Sequence, residues 1–495
     1  MTAPAAPVKD PRWSYVQREP YGLLINGKIV QAKSGKTFDA VSPIDNEVIA
    51  KIALADAADV DDAVKAARKA VDEGGWSRSN MADRAAALRR IKKVIEAHAD
   101  ELAFLETIDS GKPIGGVYYS DLGISYEALD YFASHVFELR GASTVMPTND
   151  VILHKFYDPL GVVTEILPWN GPLWTGVQRM AAIIAAGNAA IMKPAQMASL
   201  VFARLSQLLL EADLPPGVVQ TVSGPGSVVG EALVLHPGVD MVSLTGGIES
   251  GVRVLSQAAS SVKKVSLELG SKSPNIIFAD ADFDTAAMWT VMGNFSNAGQ
   301  ICVSGSRALI QRPIYDKMVE EIKRRLESMV VGDPLDPKTQ MGSLISQSHA
   351  DSVWRYIEIG KKEARLITGG ERYTDPFRSK GAYIPPTLFA AEPTATIARE
   401  EIFGPVLTVM PFDTAEDALK LANNSSYGLS SGVFTTNLDN AWKVSRGLMA
   451  GQIYVNQWFG SGLQDPTQGY KQSGYGGVGI EKYMQTKNAY FRLKP

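Results

Sequence analysis

The chain has one cysteine, Cys302, and five histidines in 495 residues. A single thiol forms no intramolecular disulfide and supplies no Cys-rich zinc or iron–sulfur site. The histidines (His98, His135, His154, His236 and His349) contain no pair at the spacing of an H-E-x-x-H motif, so no metal is expected. Charge of one sign is also scarce. The 49 Lys and Arg against 53 Asp and Glu leave a net charge of −4, which offers no excess of cations for a nucleic-acid backbone or an anionic membrane surface. Long apolar runs are missing too: stretches such as 180–192 are interrupted by Ala, Gly and Asn and fall short of the roughly 20 apolar residues that span a bilayer. The first 20 residues carry charges through their middle and lack the apolar run of a signal peptide. A cytoplasmic protein without nucleic-acid or membrane partners is expected.

What remains is a chain about three domains' worth in length, 45% hydrophobic and 21% charged, enough to bury more than one core. The first fifty residues read as short strands with turns, among them the Asn26-Gly27 signal, and suggest a surface β meander. From Asp56 to about Ala103 apolar residues recur at helical spacing, and another helix is expected from about Ile124 to Leu139. The segment from Gly141 to about His154 reads as a hairpin. Between Gly161 and Lys264, strands alternate with helices, and a second such series runs from Asn275 to the segment AGQIYVN. Repeated βαβ units imply parallel, doubly wound sheets that bind ligands at the carboxyl ends of their strands.

Two segments carry chemistry: LELG with Glu268, and NAGQICVSGSR with Cys302. A lone cysteine is ordinarily a small buried apolar residue, yet this one lies between Gly299 and Gly305 in a loop of small residues that a substrate can approach. A thiolate attacks carbonyl carbon and leaves an acyl-enzyme, which water activated by a carboxylate can hydrolyse. Gly224, Gly226 and Gly230 approximate a dinucleotide fingerprint, but the last spacing is one residue too long. They read mainly as turn and packing glycines, with Gly230 a candidate for the cofactor site.

Nine segments then fall into one order: LETIDSGKP (105–113), PWN (168–170), MKPA (192–195), LTGG (244–247), LELG (267–270), GQIC (299–302), EEIFGPV (400–406), YGLSSGVFT (427–435) and GYKQSG (469–474). On these the chain resembles the aldehyde dehydrogenase superfamily along nearly its whole length. The resemblance implies an α/β fold of two doubly wound domains, a Rossmann-like cofactor domain and a catalytic domain, with a small β oligomerisation element. It implies boundaries at 1–140 and 155–267 for the NAD(P)-binding domain, 268–474 for the catalytic domain, and 141–154 with 475–495 for the oligomerisation element. A homodimer or homotetramer is expected.

It also implies roles. Cys302 resembles the nucleophile that forms a thiohemiacetal with an aldehyde and, after hydride transfer, a thioester. Asn170 resembles the amide that holds the oxyanion together with the Cys302 N–H, and Glu268 the base that activates water. For NAD or NADP, Lys193 resembles the adenosine-ribose ligand, with Gln196 three residues on, and Glu401 with Phe403 resembles the nicotinamide-ribose pair. Gly246 and Gly247 suit a pyrophosphate at a helix N-terminus, and Trp169 and Gly230 belong to the same cofactor set.

The departures are specific. Gln196 stands where NAD-preferring relatives usually have Glu, which removes a charge that repels a 2′-phosphate. Gly171, Gln178 and Arg179 replace the Phe, Trp and Lys of small-aldehyde members, and Ser461 and Thr467 fall where those members have Phe. The expected tunnel is wide and suits a bulky or aromatic aldehyde, with Trp174, Trp458 and Phe459 as candidate lining. Arg179 is always charged, which puts a proton relay through that position in doubt, and the family's second glutamate near the C-terminal end has no clear counterpart. A CoA-acylating or non-catalytic relative is the alternative; retention of Cys302, Glu268 and Asn170 together favours oxidation to the acid.

Overall fold

The computed structural model describes residues 10–460, 462–464 and 468–493. Two α/β bodies, each with its own apolar core, carry a small third sheet at their margin. The first sheet has eight strands in the order Gly474–Tyr475, Lys264–Glu268, Met241–Thr245, Val162–Ile166, Ala189–Lys193, Val219–Thr221, Leu23–Ile25 and Lys28–Val30. The five strands from Lys264–Glu268 to Val219–Thr221 are parallel. Chain order runs outward in opposite directions from Val162–Ile166 and Met241–Thr245, so a crevice opens at their carboxyl ends. Asn170, Gly246-Gly247 and Glu268 all lie at this rim.

The N-terminal hairpin is made by Asn26 (φ 52°) and Gly27 (φ 71°), the left-handed pair that a two-residue turn favours. It is no surface meander. Leu23 is fully buried, and Leu24 pairs antiparallel with Thr221, so the hairpin completes one edge of the first sheet. Helix Ala57–Asp72 is fixed by a capping box between Asp56 and Asp59. The expected 124–139 helix is Gly123–His135, entered through a π-helical turn at Val117–Leu122.

The second sheet runs Arg365–Thr368, Thr387–Ala390, Val406–Phe412, Arg307–Gln311, Pro274–Ile277, Ser430–Phe434 and Gln452–Val455. All its pairings are parallel except the first. The third sheet joins Ala142–Val145, Val151–Pro159 and Met484–Arg492 in antiparallel register. Its central strand thus continues past residue 154. The expected tail element divides: Gly474–Tyr475 pairs with Leu267 and Glu268, Ile480 and Tyr483 enter the first core, and only the strand from Met484 onward belongs to the small sheet. No described helix is long and apolar enough to cross a membrane.

Candidate active site

Cys302 follows a turn that few sequences can make. After helix Phe283–Phe295 the chain passes through Asn297, Ala298 and Gly299 at φ of 49°, 52° and 74°, and left-handed non-glycine residues cost of order 1–3 kcal/mol each unless the surroundings enforce them. Here they do. Asn297 Nδ2 donates to the carbonyls of Asn170 (3.0 Å) and Gln300 (3.3 Å), and the Gln300 side-chain oxygen accepts from the Ile345 N–H at 2.9 Å. A Cβ at position 299 would lie 2.2 Å from the Gly404 oxygen. From behind, Trp458 Nε1 donates to the Val303 carbonyl at 3.1 Å, and a Cβ on Gly293 or Gly305 would approach its ring to 3.0 Å. Trp458 is 1% exposed, so it supports the nucleophile loop from the core and lines no tunnel. Phe459 is half-buried at φ 63°. Ser461 and Thr467 lie outside the described residues.

Asn170 Nδ2 donates to the Gln300 carbonyl at 2.8 Å, which aims the amide at the cysteine loop; its second N–H can meet a substrate oxygen. Burial, and then the charges of Glu268 and Glu401, push the Cys302 thiol up to about 12, against hydrogen bonds from the Val303 and Cys302 N–H groups. The same N–H donors suit an anion formed at this spot.

Helix Pro172–Ala185 is buried at every position except Trp174 and Gln178, which are four apart and therefore share a face. A Cβ added to Gly171 would lie 2.0 Å from Trp174 Nε1. The indole thus occupies the space that glycine leaves, and a side chain at 171 would have to displace it.

Glu268 ends its strand with Oε1 accepting the Gly477 N–H. Burial raises its pKa, opposed by Arg179, by Lys482 and by that hydrogen bond. Glu401 Oε1 accepts the Ser271 N–H at 2.7 Å, and burial raises its carboxyl to about 7. Two residues on, Phe403 has φ 55°; its carbonyl lies 2.8 Å from His349 Nε2, and its ring meets Trp169 edge-on at 5.2 Å. His349 also meets Trp169 at 5.2 Å.

The residues expected to meet the adenosine and pyrophosphate end of the cofactor gather at the rim of the first sheet, whereas Glu401 and Phe403 precede strand Val406–Phe412 of the second. Lys193 is 3% exposed; its Nζ donates to the Pro194 carbonyl at 2.9 Å, and burial lowers it to about 8. A Cβ on Gly230 would lie 3.8 Å from the Lys193 stem. Gln196 is exposed at the start of a short 3-10 turn. Gly247 caps helix Ile248–Ala258, and a Cβ there would meet nothing within 4 Å, while the Gly246 N–H is held by the Glu268 carbonyl at 2.9 Å. A buried ammonium whose hydrogen bond goes to a carbonyl and an open helix N-terminus fit a phosphate-bearing dinucleotide.

A model of the aldehyde dehydrogenase family matches residues 29–490. The chain belongs to this family. Aldehyde dehydrogenase 1 of Tanacetum cinerariifolium is 41% identical over 472 residues, covering 94% of each chain. The NAD+ complex of the Bacillus cereus aldehyde dehydrogenase superposes with a TM-score of 0.94 at 36% identity, over 98% of this chain and 99% of that one. A variant of the P. syringae indole-3-acetaldehyde dehydrogenase AldA, solved with NAD+ and IAA, gives a TM-score of 0.94 at 38% identity, over 97% and 98% of the two chains.

In this aldehyde dehydrogenase the structure adds residues that motif reading missed. Glu165, Lys482 and Tyr483 surround the back of Glu268, Gln300 braces the cysteine loop, and His349 holds Phe403. Gln300 had a signal, since it lies inside the GQIC segment; His349 had none, because it meets Phe403 and Trp169 only in the fold. Lys482 had none: it lies in an irregular tail beyond the last recognisable segment.

Proposed function

We propose that this aldehyde dehydrogenase oxidises a bulky or aromatic aldehyde to its carboxylic acid, with NAD or NADP as acceptor. The observation that carries the reading is the 2.8 Å bond from Asn170 Nδ2 to the Gln300 carbonyl, which joins the oxyanion donor to the loop bearing the thiol. The Cys302 sulfur bonds to the carbonyl carbon as its proton passes to water, and the Asn170 amide and Cys302 N–H hold the oxygen that becomes negative. The bound nicotinamide supplies a hydride acceptor. Lys193, with Gly246 and Gly247, suits the adenosine and pyrophosphate end; Glu401 and Phe403 suit the nicotinamide ribose, with Trp169 packed against Phe403. Glu268 takes a proton from the water that attacks the thioester, releasing the acid and the thiol.

Trp174 supports an aromatic substrate, because its indole and Gln178 are the two side chains that the helix after Asn170 leaves partly uncovered. The similarity to AldA, an indole-3-acetaldehyde dehydrogenase, agrees. Gln196 supports tolerance of NADP. We further assign the NAD(P)-binding domain to the first sheet body, the catalytic domain to the second, and pairing with a second subunit to the small sheet, in a cytoplasmic dimer or tetramer.

The test is a panel of benzaldehyde, cinnamaldehyde and acetaldehyde, each with NAD and NADP. The aromatic aldehydes should exceed acetaldehyde in kcat/KM by at least roughly tenfold, equivalent to about 1.4 kcal/mol. Trp174→Ala should cut that advantage roughly three- to tenfold, the value of an aromatic pair. Acetaldehyde as the best substrate would overturn the aromatic reading, and no oxidation of any aldehyde would overturn the activity.

A further inference from the structure

The Gly477 backbone is gripped from both sides. Its N–H donates to Glu268 Oε1, while its carbonyl accepts from Arg179 Nη1 at 2.9 Å and from Lys482 Nζ. Gly477 has φ 106°, a conformation that side chains disfavour. A Cβ on the preceding Gly476 would sit 2.1 Å from Glu268 Oε1. The glycine pair is therefore a recess into which the carboxylate fits. A turn reading Gly-Gly-Val-Gly loses much conformational freedom when ordered, and the two cations on one carbonyl supply what orders it.

We propose that Arg179 and Lys482 are positioning residues for Glu268, acting through the Gly477 peptide that they hold. This rests on the reading of Glu268 as the hydrolytic base. Four ionisable side chains meet here from separate elements. Arg179 comes from helix Pro172–Ala185 and is 5% exposed. Its Nε lies 3.9 Å from Oε1 of the fully buried Glu165, on strand Val162–Ile166, and Ser243 Oγ donates to the same oxygen at 3.2 Å. Lys482 comes from the tail turn Glu481–Tyr483, whose Tyr483 hydroxyl lies beside Arg179. Two carboxylates thus face two cations, and the Tyr483 hydroxyl and the Cys302 thiol also feel Glu268.

The arrangement has a sign. Burial raises the Glu268 carboxyl, and the two cations oppose that rise. Burial, then Arg179, lowers Lys482 to about 7, with Glu165 and Glu268 opposing. Below neutrality Lys482 is charged and keeps Glu268 ionised, so its removal lets Glu268 take up a proton at higher pH.

The experiment measures, for Lys482→Met and Lys482→Arg, the burst of reduced nicotinamide and the steady-state rate across pH. Lys482→Met should keep the burst, because acyl formation precedes hydrolysis. Its steady-state rate should fall roughly ten- to a hundredfold, as expected of a displaced catalytic group, and its acid limb should move to higher pH. Lys482→Arg, which keeps charge and donor, should retain the parent acid limb. A Met variant with the parent's rate and acid limb overturns the proposal, as does loss of burst and turnover together. If Lys482→Met does not fold, Lys482→Gln keeps a donor without charge and must still move the acid limb. Full steady-state turnover in Glu268→Gln would instead overturn the underlying reading of the base.

Discussion

Glu268 and Glu401 are two versions of one device. Each carboxylate lies against a glycine whose Cβ would come within 2.1 Å of an oxygen, Gly476 for Glu268 and Gly270 for Glu401, and each accepts one backbone N–H. Burial raises both. They differ in the cations beside them. Glu268 faces Arg179 and Lys482, whereas Glu401 faces Lys272, whose buried Nζ has no hydrogen-bond partner among the described residues and which burial lowers to about 7. The recess sets where a carboxylate points, and the neighbouring charge sets when it ionises. The base we propose, which must take up and release a proton each turnover, and the ribose acceptor we propose need the first in common but not the second.

The largest effect should come from the thiol that both carboxylates face. Cys302→Ala should reduce aldehyde oxidation to background while leaving cofactor affinity, read by fluorescence titration, within a few-fold of the parent; appreciable turnover would remove the nucleophile from the account. Next, Glu268→Gln should keep a full burst while steady-state turnover drops roughly 10²- to 10⁴-fold, the range for a lost general base. An unchanged rate would mean that another group activates water. The smallest effect belongs to Glu401→Gln, which exchanges a charged hydrogen bond for a neutral one. It should weaken cofactor binding by roughly tenfold, in keeping with about 1.5 kcal/mol. In the parent the cofactor KM should rise as pH falls through about 7, where Glu401 takes up a proton, and in the variant it should stay flat there. Equal burst and binding defects in the two variants would erase the distinction between them.

Much of this is legible in the sequence. Cys302, Glu268 and Asn170 sit in contiguous motifs, and the alternation of strands and helices from Gly161 onward carries the parallel sheet. What is not legible is non-local. Leu23–Ile25 joins a sheet edge through a pairing with Thr221 that its own pattern does not encode. Gly477 reaches Glu268 across 209 positions, and Lys482 arrives with it. Trp174 fills the space left open at Gly171, and Trp458 turns inward because three glycines, Gly293, Gly305 and Gly432, leave room for its ring. Aromatic identity alone does not distinguish a ring that lines a channel from one that braces a loop.

The solitary thiol has a practical consequence for spectroscopy. Burial and the neighbouring carboxylates raise the Cys302 thiol, and thiolate is the form that reacts with maleimides. Because Cys302 is the one cysteine of the chain, Cys302→Ala leaves no thiol, and a cysteine introduced on the exposed strand Ala142–Val145 is then the single site for a fluorophore. A label there reports directly whether the small sheet meets a second copy of the chain.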